Sequence, residues 1–404
     1  MFKSNLLVIL LGILTYGCIS SDSEVPNFET MREKQTLTDN RSGVDGLGGA
    51  RVAELTPDGR QLLVVSADDN SLSIFNTHPN FELNFSQIFV NNSNISGLTG
   101  ATSLVLSSDG HRAYVVSFYD SAVAVFERDE QENYQFIRSI RDGLPYEDVF
   151  SDKESVRAKD TLGLLGAYDI AIAPDNSQIF VASVASNAIS IFDINESNNI
   201  VSKQVIRDSD NIEYGLGGAV NIVVTPDGSQ VIVAGFNEDS ITIFNRTANG
   251  LLEHSQTLVN GKHQVEKLEA PQGLAISPDG SYLYVACSGS DAILVFARNE
   301  QDKYSFIQSM SNSDEDVNGL GGASYITTSP DGMRVFVASE TDKAVVTLTK
   351  LKDGTLKTLS VMKSEGIKKV GERNGAASVY ASPDGSHLLV TTGKGDTLIV
   401  YELH

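Results

Sequence analysis

The stretch Ser277-Pro278-Asp279-Gly280-Ser281-Tyr282-Leu283-Tyr284-Val285-Ala286 joins a tight turn to a run of strand-forming residues, and variants of it recur along the chain. An aspartate can hydrogen-bond its own backbone two residues on, and glycine adopts a positive φ without steric cost, so the pair suits a tight turn. Five of the six spacings between successive copies are 51 to 53 residues, which predicts a repeat protein with seven equivalent units. The turn aspartates are Asp58, Asp109, Asp175, Asp227, Asp279, Asp331 and Asp384.

Each repeat carries the pattern of four strands. After the turn comes a nearly continuous apolar run such as Val335-Phe336-Val337-Ala338, which is typical of a strand buried on both faces. A third strand such as Ile241-Thr242-Ile243-Phe244 follows a short polar loop, and a fourth such as Tyr304-Ser305-Phe306-Ile307-Gln308 is more polar, as suits an outer edge. Four antiparallel strands per repeat predict an all-β, seven-bladed β-propeller.

The two ends of the chain are predicted to meet in one blade. The seventh copy stops at Tyr401-Glu402-Leu403-His404, where its third strand ends, and residues 28–39 have the pattern of a fourth strand without a blade of its own. Joining them closes the ring and leaves no open sheet edge between the ends. The one long spacing, 66 residues, is explained by an insertion at 145–160, which has the composition of a loop.

The N-terminus has the pattern of a targeting segment. Lys3 precedes an apolar run that is too short to span a bilayer, which predicts a signal peptide over 1–17. The residues Leu14-Thr15-Tyr16-Gly17-Cys18 resemble a bacterial lipoprotein box, which implies lipidation of Cys18, a tether over 18–26 and a propeller over 27–404. The expected location is the bacterial cell envelope, in the periplasm or at the outer membrane. The alternative is ordinary secretion, with Cys18 left in the leader.

Composition excludes several classes of protein. The chain has 30 Lys and Arg against 52 Asp and Glu, a formal charge of −22, so it would be repelled by nucleic acids and by anionic lipid surfaces. Apolar residues make up 41% of the chain, which excludes a disordered protein. Two cysteines cannot form a disulfide framework, and Cys287 lies in an apolar run typical of a buried strand.

The turn and strand motifs together resemble the Tyr-Val-Thr-Asn-repeat propellers and the seven-bladed lactonase family, over about the whole mature chain. The residues that carry the resemblance are 277–286 with Ile293-Leu294-Val295-Phe296, and their six counterparts. The resemblance implies a site at the mouth of the central channel, with a Gly-Pro-Arg-His motif just before an inner strand. Lactone hydrolysis needs a general base or activated water, and a cation to hold an anionic substrate.

This chain lacks the histidine of that motif. When the repeats are aligned on their turns, the histidine column holds Val52, Ser103, Asp169, Asn221, Gly273, Tyr325 and Ser378. The arginine column holds one arginine, Arg51, and all six histidines fall at positions expected on the surface. Arg51 and Asp169 are therefore the candidate catalytic residues. The candidate ligand-binding residues are Arg51, Asp169, Asn221, Gln272, Tyr325 and Arg373. The alternative is that these strand ends are simply hydrated.

Two further patterns are open to two interpretations each. The element Gly46-Leu47-Gly48-Gly49-Ala50 recurs before most inner strands, either as a ring of N–H groups that binds an anion or because only small residues fit near the axis. The acidic stretches 208–213 and 314–318 offer oxygen ligands for Ca²⁺, but neither matches the EF-hand spacing, so they are interpreted as solvated turns. No metal site and no cofactor is predicted.

The sequence predicts a complete propeller fold, but the catalytic motif of the family is incomplete. From the sequence alone, this combination favours a lipid-anchored envelope protein that serves as a binding or protein-interaction platform. Its expected partners are the membrane, through the anchor, and a protein or a small anionic or sugar ligand, and it is expected to be a monomer that binds no nucleic acid. The alternative function is a lactonase-like hydrolase or cyclase that acts on a small anionic lactone at the channel mouth.

Overall fold

The computed structural model describes residues 31–149, 151, 153–195, 199–314, 317–363 and 376–404. It is a seven-bladed β-propeller, as predicted, with seven four-stranded antiparallel sheets. The strands are β1 (Arg32–Thr38); in blade 1, β2 (Ala50–Leu55), β3 (Gln61–Ser66), β4 (Ser71–Thr77) and β5 (Leu83–Val90); in blade 2, β6 (Ala101–Leu106), β7 (Arg112–Ser117), β8 (Ala122–Arg128) and β9 (Tyr134–Arg141); in blade 3, β10 (Ala167–Ile172), β11 (Gln178–Ser183), β12 (Ala188–Ile194) and β13 (Ile200–Arg207).

The remaining blades repeat this order. They comprise, in blade 4, β14 (Ala219–Val224), β15 (Gln230–Gly235), β16 (Ser240–Arg246) and β17 (Leu252–Val259); in blade 5, β18 (Pro271–Ile276), β19 (Tyr282–Cys287), β20 (Ala292–Arg298) and β21 (Tyr304–Ser311); in blade 6, β22 (Ala323–Thr328), β23 (Arg334–Ser339), β24 (Ala344–Lys350) and β25 (Leu356–Lys363); in blade 7, β26 (Ser378–Ala381), β27 (His387–Thr392) and β28 (Thr397–Glu402).

The ring is closed by β1, as the sequence predicts. The last sheet has the order β1-β28-β27-β26, so the N-terminal strand is the outer strand of blade 7. Its register pairs Thr36 with Ile399 and Leu37 with Leu398. The strand begins at Arg32, inside the predicted segment 28–39, of which residues 28–30 lie outside the described part of the chain.

The core lies between neighbouring blades. The second strand of each blade is covered on both faces, and every residue of β3, β11 and β15 is buried. Apolar side chains of consecutive blades interlock in shared clusters, one of which joins blades 4 and 5 through Ile243 and Leu294. Cys287 is fully buried in that cluster, as the apolar run around it predicts.

The strand directions give the disc two different faces. The mouth face carries the starts of the inner strands, the loops between second and third strands, and the connections between blades. The turn face carries the Pro-Asp-Gly turns and the hairpins that lead to the outer strands. The insertion lies on the mouth face and forms a 3-10 turn, Tyr146–Asp148, and one short helix, α1 (Glu154–Arg157), rather than a strand. Val149 and Val156 of the insertion pack with Leu165, beside blades 2 and 3.

The glycine-rich element connects neighbouring blades. The N–H of Gly49 donates to Asp396 Oδ1 at 2.9 Å, and the N–H of Gly100 donates to Asn70 Oδ1 at 2.7 Å. The same bond joins Gly218 to Asn187 and Gly322 to Asp291, each at 2.8 Å. These N–H groups are therefore occupied, which argues against the anion-binding interpretation of the element.

Close packing explains why the element is rich in glycine, but the packing is not at the channel axis, where it was expected. A Cβ on Gly48 would lie 2.5 Å from Asp69 Oδ1, and Gly49 has a φ of 69° and would place its Cβ 2.7 Å from Asp68. Both contacts are with the loop of the same blade rather than with other inner strands at the axis. The small residues thus allow the loop to cover the element closely.

No helix among the described residues is long and apolar enough to cross a membrane.

Candidate functional site

The inner strands bring the predicted site residues to one place. In each of the first six inner strands the pairing shifts register within the first three residues, for example between Ala50 and Val52 and between Ala167 and Asp169. Such a β-bulge redirects side chains next to it. Because it recurs in blades 1 to 6, the two aligned columns emerge at the same depth around the mouth.

Five of the six predicted ligand-binding residues line one cavity at the mouth. The cavity has a volume of about 60 Å³ and is lined by Arg51, Val52, Thr102, Ser103, Tyr168, Asp169, Asn221, Gln272, Ser324, Tyr325, Glu340 and Ala377. The sixth residue, Arg373, lies outside the described residues. A water molecule needs about 10–15 Å³ on this scale, so the cavity can hold several waters but not a sugar-sized ring. A larger ligand would have to lie over the cavity, at the mouth.

Asp169 is the best-connected side chain of the cavity. Its Oδ2 accepts hydrogen bonds from Asn221 Nδ2 at 2.7 Å and from the N–H of Ile222 at 2.9 Å. Burial raises the pKa of Asp169 to about 6, and hydrogen bonds from Ser103 and the backbone oppose this rise only in part. A carboxylate with such a pKa is ionised at neutral pH and can still take up a proton, which is the property of a general base.

Asn221 fixes the position of Asp169. Its Nδ2 donates to Asp169, and its Oδ1 accepts from the N–H of Leu274 in blade 5 at 2.9 Å. Two equivalent bonds, from the N–H of Ile222 to Asp169 and from the N–H of Leu274 to Asn221, run in the same direction around the ring, each from the backbone of one inner strand to a side chain of the preceding blade. They exist because an inner strand has one edge without a strand partner, and its N–H groups need an acceptor there.

Glu54 is an acid in the channel that the motif alignment missed. Glu54 lies on β2, two residues after Val52 of the histidine column. The equivalent positions of the other six blades are Val105, Ala171, Val223, Ala275, Thr327 and Tyr380. Burial raises the pKa of Glu54 to about 8, although a backbone hydrogen bond from Leu106 opposes the rise. The signal was present in the sequence, since extending the alignment by two residues shows one acid in an otherwise uncharged column.

Two tyrosines lie close to the two acids. Burial raises the pKa of Tyr325, and the charges of Asp169 and Glu54 raise it further. The pKa of Tyr380 is raised by burial and by Glu54. Both phenols therefore stay protonated at neutral pH and can donate a hydrogen bond. The channel and its mouth thus contain two carboxyl groups with raised pKa values, of which Asp169 is ionised at neutral pH and Glu54 is largely protonated, and two phenol hydroxyl donors.

The charge at the mouth comes from Arg51 and from one ion pair. Arg51 is exposed and, among the described residues, pairs with no acid, while its carbonyl accepts a hydrogen bond from Thr391 Oγ1 at 2.6 Å. Glu340, on the loop after β23, lines the cavity and pairs with Lys394 at 3.6 Å. The sequence analysis did not identify Glu340, because the loops between second and third strands were not part of the aligned motif.

The histidines lie away from the cavity, as predicted, but one of them is not on the surface. Of the described residues that line the cavity none is a histidine. His387 is only 8% exposed and stacks on Phe81, with ring centroids 4.0 Å apart. It lies on the turn face where blades 7 and 1 meet, and the expected surface position was wrong because these two blades are remote in sequence.

The acidic clusters have structural hydrogen bonds. Asp39, Asp45 and Asp69 place carboxylate oxygens within 4.8 Å of one another. Asp39 Oδ1 accepts from the N–H of Leu47 at 3.0 Å, and Asp69 Oδ2 accepts from the N–H of Gly48 at 2.6 Å. In the stretch 208–213, Asp208 Oδ1 accepts from the N–H of Leu216 at 2.8 Å. Glu315 and Asp316 of the other stretch lie outside the described residues.

The structure is thus a seven-bladed propeller whose polar inner-strand side chains gather at one end of the channel, which makes this mouth the candidate site. The chain belongs to the lactonase family of seven-bladed β-propellers, whose sequence profile, "Lactonase, 7-bladed beta-propeller", it matches over residues 29–212 and 217–404. The match covers nearly the whole described chain, so the resemblance to the lactonase family is confirmed.

Solved structures of similar fold include two named "putative 6-phosphogluconolactonase". The one from Bacteroides uniformis aligns with a TM-score of 0.66 and 15% identity, over 85% of this chain and 91% of that chain. The one from Bacteroides fragilis gives 0.59 and 16%, over 82% and 86%. A protein of unknown function from Desulfotomaculum acetoxidans gives 0.58 and 18%, over 78% and 87%. At these identities the likeness shows the fold alone.

Proposed function

We propose that this protein hydrolyses a small lactone that carries an anionic group, at the mouth of the propeller channel. The observation that carries the proposal is that Arg51, Asp169, Asn221, Gln272 and Tyr325 line one cavity, in which the pKa of Asp169 is raised to about 6. Family membership supports hydrolysis over the interaction platform favoured by sequence alone. The cyclase alternative has no separate support in the geometry.

The cavity suits the attacking water rather than the lactone. In the proposed reaction the lactone lies over the mouth, with its anionic group on the Arg51 guanidinium, and a water occupies the cavity beside Asp169. Asp169 takes a proton from this water as the water oxygen bonds to the lactone carbonyl carbon. The ring C–O bond then breaks, and the proton on Asp169 passes to the alkoxide that leaves, which gives a hydroxy acid.

Charge that develops on the carbonyl oxygen needs a hydrogen-bond donor. Tyr325 lines the same cavity, and its raised pKa keeps the phenol protonated. Gln272, from the arginine column of blade 5, adds an amide N–H donor. Donors that are already in place when the charge appears stabilise the transition state more than the substrate. The histidine absent from the motif is thus replaced by a carboxylate base in the same column.

The proposal predicts a specific pH profile. The base must be ionised, so kcat/KM should rise with pH, reach half of its maximum near the pKa of about 6, and stay level above it. We expect Arg51→Ala to raise KM by about 10- to 100-fold while kcat changes little, because one charge-assisted bond to the substrate is lost. The measurement is hydrolysis of a panel of carboxylated, phosphorylated and neutral lactones between pH 4 and 9. A panel without turnover at any pH would contradict the proposal.

Binding without turnover is the second candidate function. The observation that favours it is that Asp169 already accepts hydrogen bonds from Asn221 and Ile222, so its role in the cavity is structural at least in part. In that case the same lactones and their hydroxy acids would raise the melting temperature of the protein, and Arg51→Ala would abolish the shift, but no ring would open.

We further propose that the protein is anchored in the bacterial envelope through Cys18. This residue and the predicted signal peptide lie outside the described residues, so the support is the sequence pattern alone. Because β1 begins at Arg32 opposite Glu402, on the turn face, an anchor would hold that face towards the membrane and the mouth away from it. Mass spectrometry of the mature protein should detect diacylglycerol on Cys18, and a mature N-terminus that starts elsewhere would refute the anchor.

A further inference from the structure

A repeated ion pair joins neighbouring blades on the turn face. At three junctions an arginine at the end of the third strand pairs with the turn aspartate of the preceding blade. The distances are 2.8 Å for Arg128 Nη1 to Asp58 Oδ2, 3.1 Å for Arg246 Nη1 to Asp175 Oδ2 and 2.9 Å for Arg298 Nη1 to Asp227 Oδ2. Each of these arginine side chains is less than 15% exposed, whereas the aspartates are 37–57% exposed, so it is the guanidinium side of each pair that is buried.

At two of these junctions the guanidinium binds a second acceptor in the same turn. Arg298 Nη2 donates to Ser229 Oγ at 2.9 Å, and Arg246 Nη2 donates to Ser177 Oγ. The serine stands two residues after the turn aspartate. The pattern Asp-x-Ser in one blade therefore forms a binding site for an arginine side chain from the next blade.

At two of the four junctions that lack the arginine, the serine is absent too. The third strand of blade 3 ends in Ile194, and it faces a turn of blade 2 with His111 in place of the serine. Blade 7 has Leu403 at this position, and the turn of blade 6 has Met333. At the junction of blades 5 and 6, Lys350 replaces the arginine, and its charge lowers the pKa of Asp279. This turn keeps the serine, Ser281, but the lysine still supplies a cation for the aspartate.

The junction between blades 7 and 1 keeps both acceptors of the turn but has no cation at the end of the facing strand. Its turn keeps the acceptors Asp384 and Ser386, but the third strand of blade 1 ends in the small residue Thr77. No arginine or lysine among the described residues pairs with Asp384. The missing side chain leaves a cavity of about 390 Å³, lined by Leu55, Pro57, Asp58, Gly59, Arg60, Thr77, His78, Pro79, Phe81, Ser382, Pro383 and Asp384.

Two polar atoms at this junction lack partners. Thr77 Oγ1 and His387 Nε2 are buried and have no hydrogen-bond partner among the described residues. His387 occupies the strand position at which Gln178, in blade 3, accepts from Arg246 Nε at 2.7 Å. His387 Nδ1 lies 2.6 Å from Ser386 Oγ. When Nδ1 carries the proton, Nε2 is an acceptor at the strand position of the one that a guanidinium uses at the junction of blades 3 and 4. Ser386 and His387 do not line the cavity themselves but lie directly behind two residues that do, since Ser386 Oγ donates to Asp384 Oδ2 at 2.6 Å and His387 stacks on Phe81.

We propose that this cavity binds an alkylguanidinium, free or at the tip of an arginine side chain of another polypeptide. The guanidinium would pair with Asp384 and Ser386, as Arg298 pairs with Asp227 and Ser229, and its alkyl stem would lie against Pro57 and Phe81. Arg60 also lines the cavity, but its charge is balanced by Glu132 and Asp58. The site is on the turn face and is independent of the proposed lactone reaction.

The test compares N-acetyl-arginine amide with N-acetyl-citrulline amide, which has the same shape but no charge. We expect the full chain to bind the arginine compound with a Kd of about 1 mM and the citrulline compound at least about tenfold more weakly. Binding is measured by calorimetry and by the NMR signals of Phe81 and His387. Equal binding of the tripeptide Gly-Arg-Gly would indicate a polypeptide ligand, whereas binding of agmatine alone would indicate a small molecule.

Three variants locate the site. Thr77→Arg should fill the cavity from within, abolish binding and raise the melting temperature by about 2 °C. Asp384→Asn should abolish binding without filling the cavity. Arg298→Thr should create a second such cavity at the junction of blades 4 and 5, so that arginine amide raises the melting temperature of this variant more than that of the parent. The proposal is overturned if the two amides bind equally, if no saturable binding occurs at about tenfold higher concentration, or if Thr77→Arg binds as the parent does.

Discussion

Replacing Asp169 by asparagine is expected to reduce kcat for lactone hydrolysis by about 1000-fold, because the amide cannot take a proton from the attacking water. Asparagine has nearly the same shape, and its Oδ1 can still accept from the N–H of Ile222, which donates to Asp169 at 2.9 Å. The ring should therefore stay intact. The measurement is kcat on the best lactone of the panel, at a pH well above 6, where Asp169 is ionised in the parent protein.

Asp353→Asn is a matched control, because Asp353 lies in an exposed hairpin of blade 6 on the turn face, where its Oδ1 accepts from Thr355 Oγ1 at 2.6 Å. It should keep full activity. If Asp169→Asn also keeps full activity while its melting temperature is unchanged, Asp169 is not the base, and its hydrogen bonds to Asn221 and Ile222 are its whole role. A loss of activity together with a large loss of stability would instead indicate that the inner-strand network had broken.

The second large effect concerns the closure of the ring. A chain that begins at Asp39 lacks β1, so it loses the backbone pairing to β28 and exposes the edge beside Ile399, which is 1% exposed in the intact protein. With hydrogen bonds worth about 1 kcal/mol each and apolar burial in addition, we expect a loss of at least about 5 kcal/mol. For a chain of this length the loss corresponds to a melting temperature lower by about 5–10 °C, measured by circular dichroism.

The control is a chain that begins at Met31, which keeps the whole of β1. It should melt within a few degrees of the mature protein and remain soluble. The chain that begins at Asp39 should also aggregate, because an unpaired strand edge is a template for pairing with other chains. Equal melting temperatures for the two chains would show that β1 contributes little, and that the six complete blades and the bonds between them hold blade 7 in place.

The fold could be predicted because its signals are local. Each Pro-Asp-Gly turn specifies a hairpin within a few residues, and the repeat spacing then fixes the number of blades. The mouth residues could be predicted for the same reason, since equivalent positions on equivalent strands must lie in one ring. Arg51, Asp169, Asn221, Gln272 and Tyr325 line one cavity because symmetry places them there, although they are separated by up to 274 residues.

Features that depend on contacts between blades could not be predicted in this way. The pKa of Glu54 is raised by burial in the channel, which exists only once seven inner strands surround it. His387 is buried because it meets Phe81 across the closing junction, and no periodicity in the sequence reports that contact. Glu340 lines the cavity from the loop after β23 and pairs there with Lys394 of blade 7. Such features need the closed ring, because each depends on two distant segments.

The hydrogen bond between Gly49 and Asp396 spans 347 residues of sequence. It nevertheless joins the same kinds of atom, a glycine N–H and a side-chain Oδ1, and has nearly the same length as the bond between Gly100 and Asn70 of consecutive blades. The junction that contains the chain ends is thus held on the mouth face by the same kind of contact as the junctions of blades 1 and 2, 3 and 4, and 5 and 6. Load applied at the mouth can therefore cross the point where the backbone is interrupted through a link equivalent to those between covalently consecutive blades.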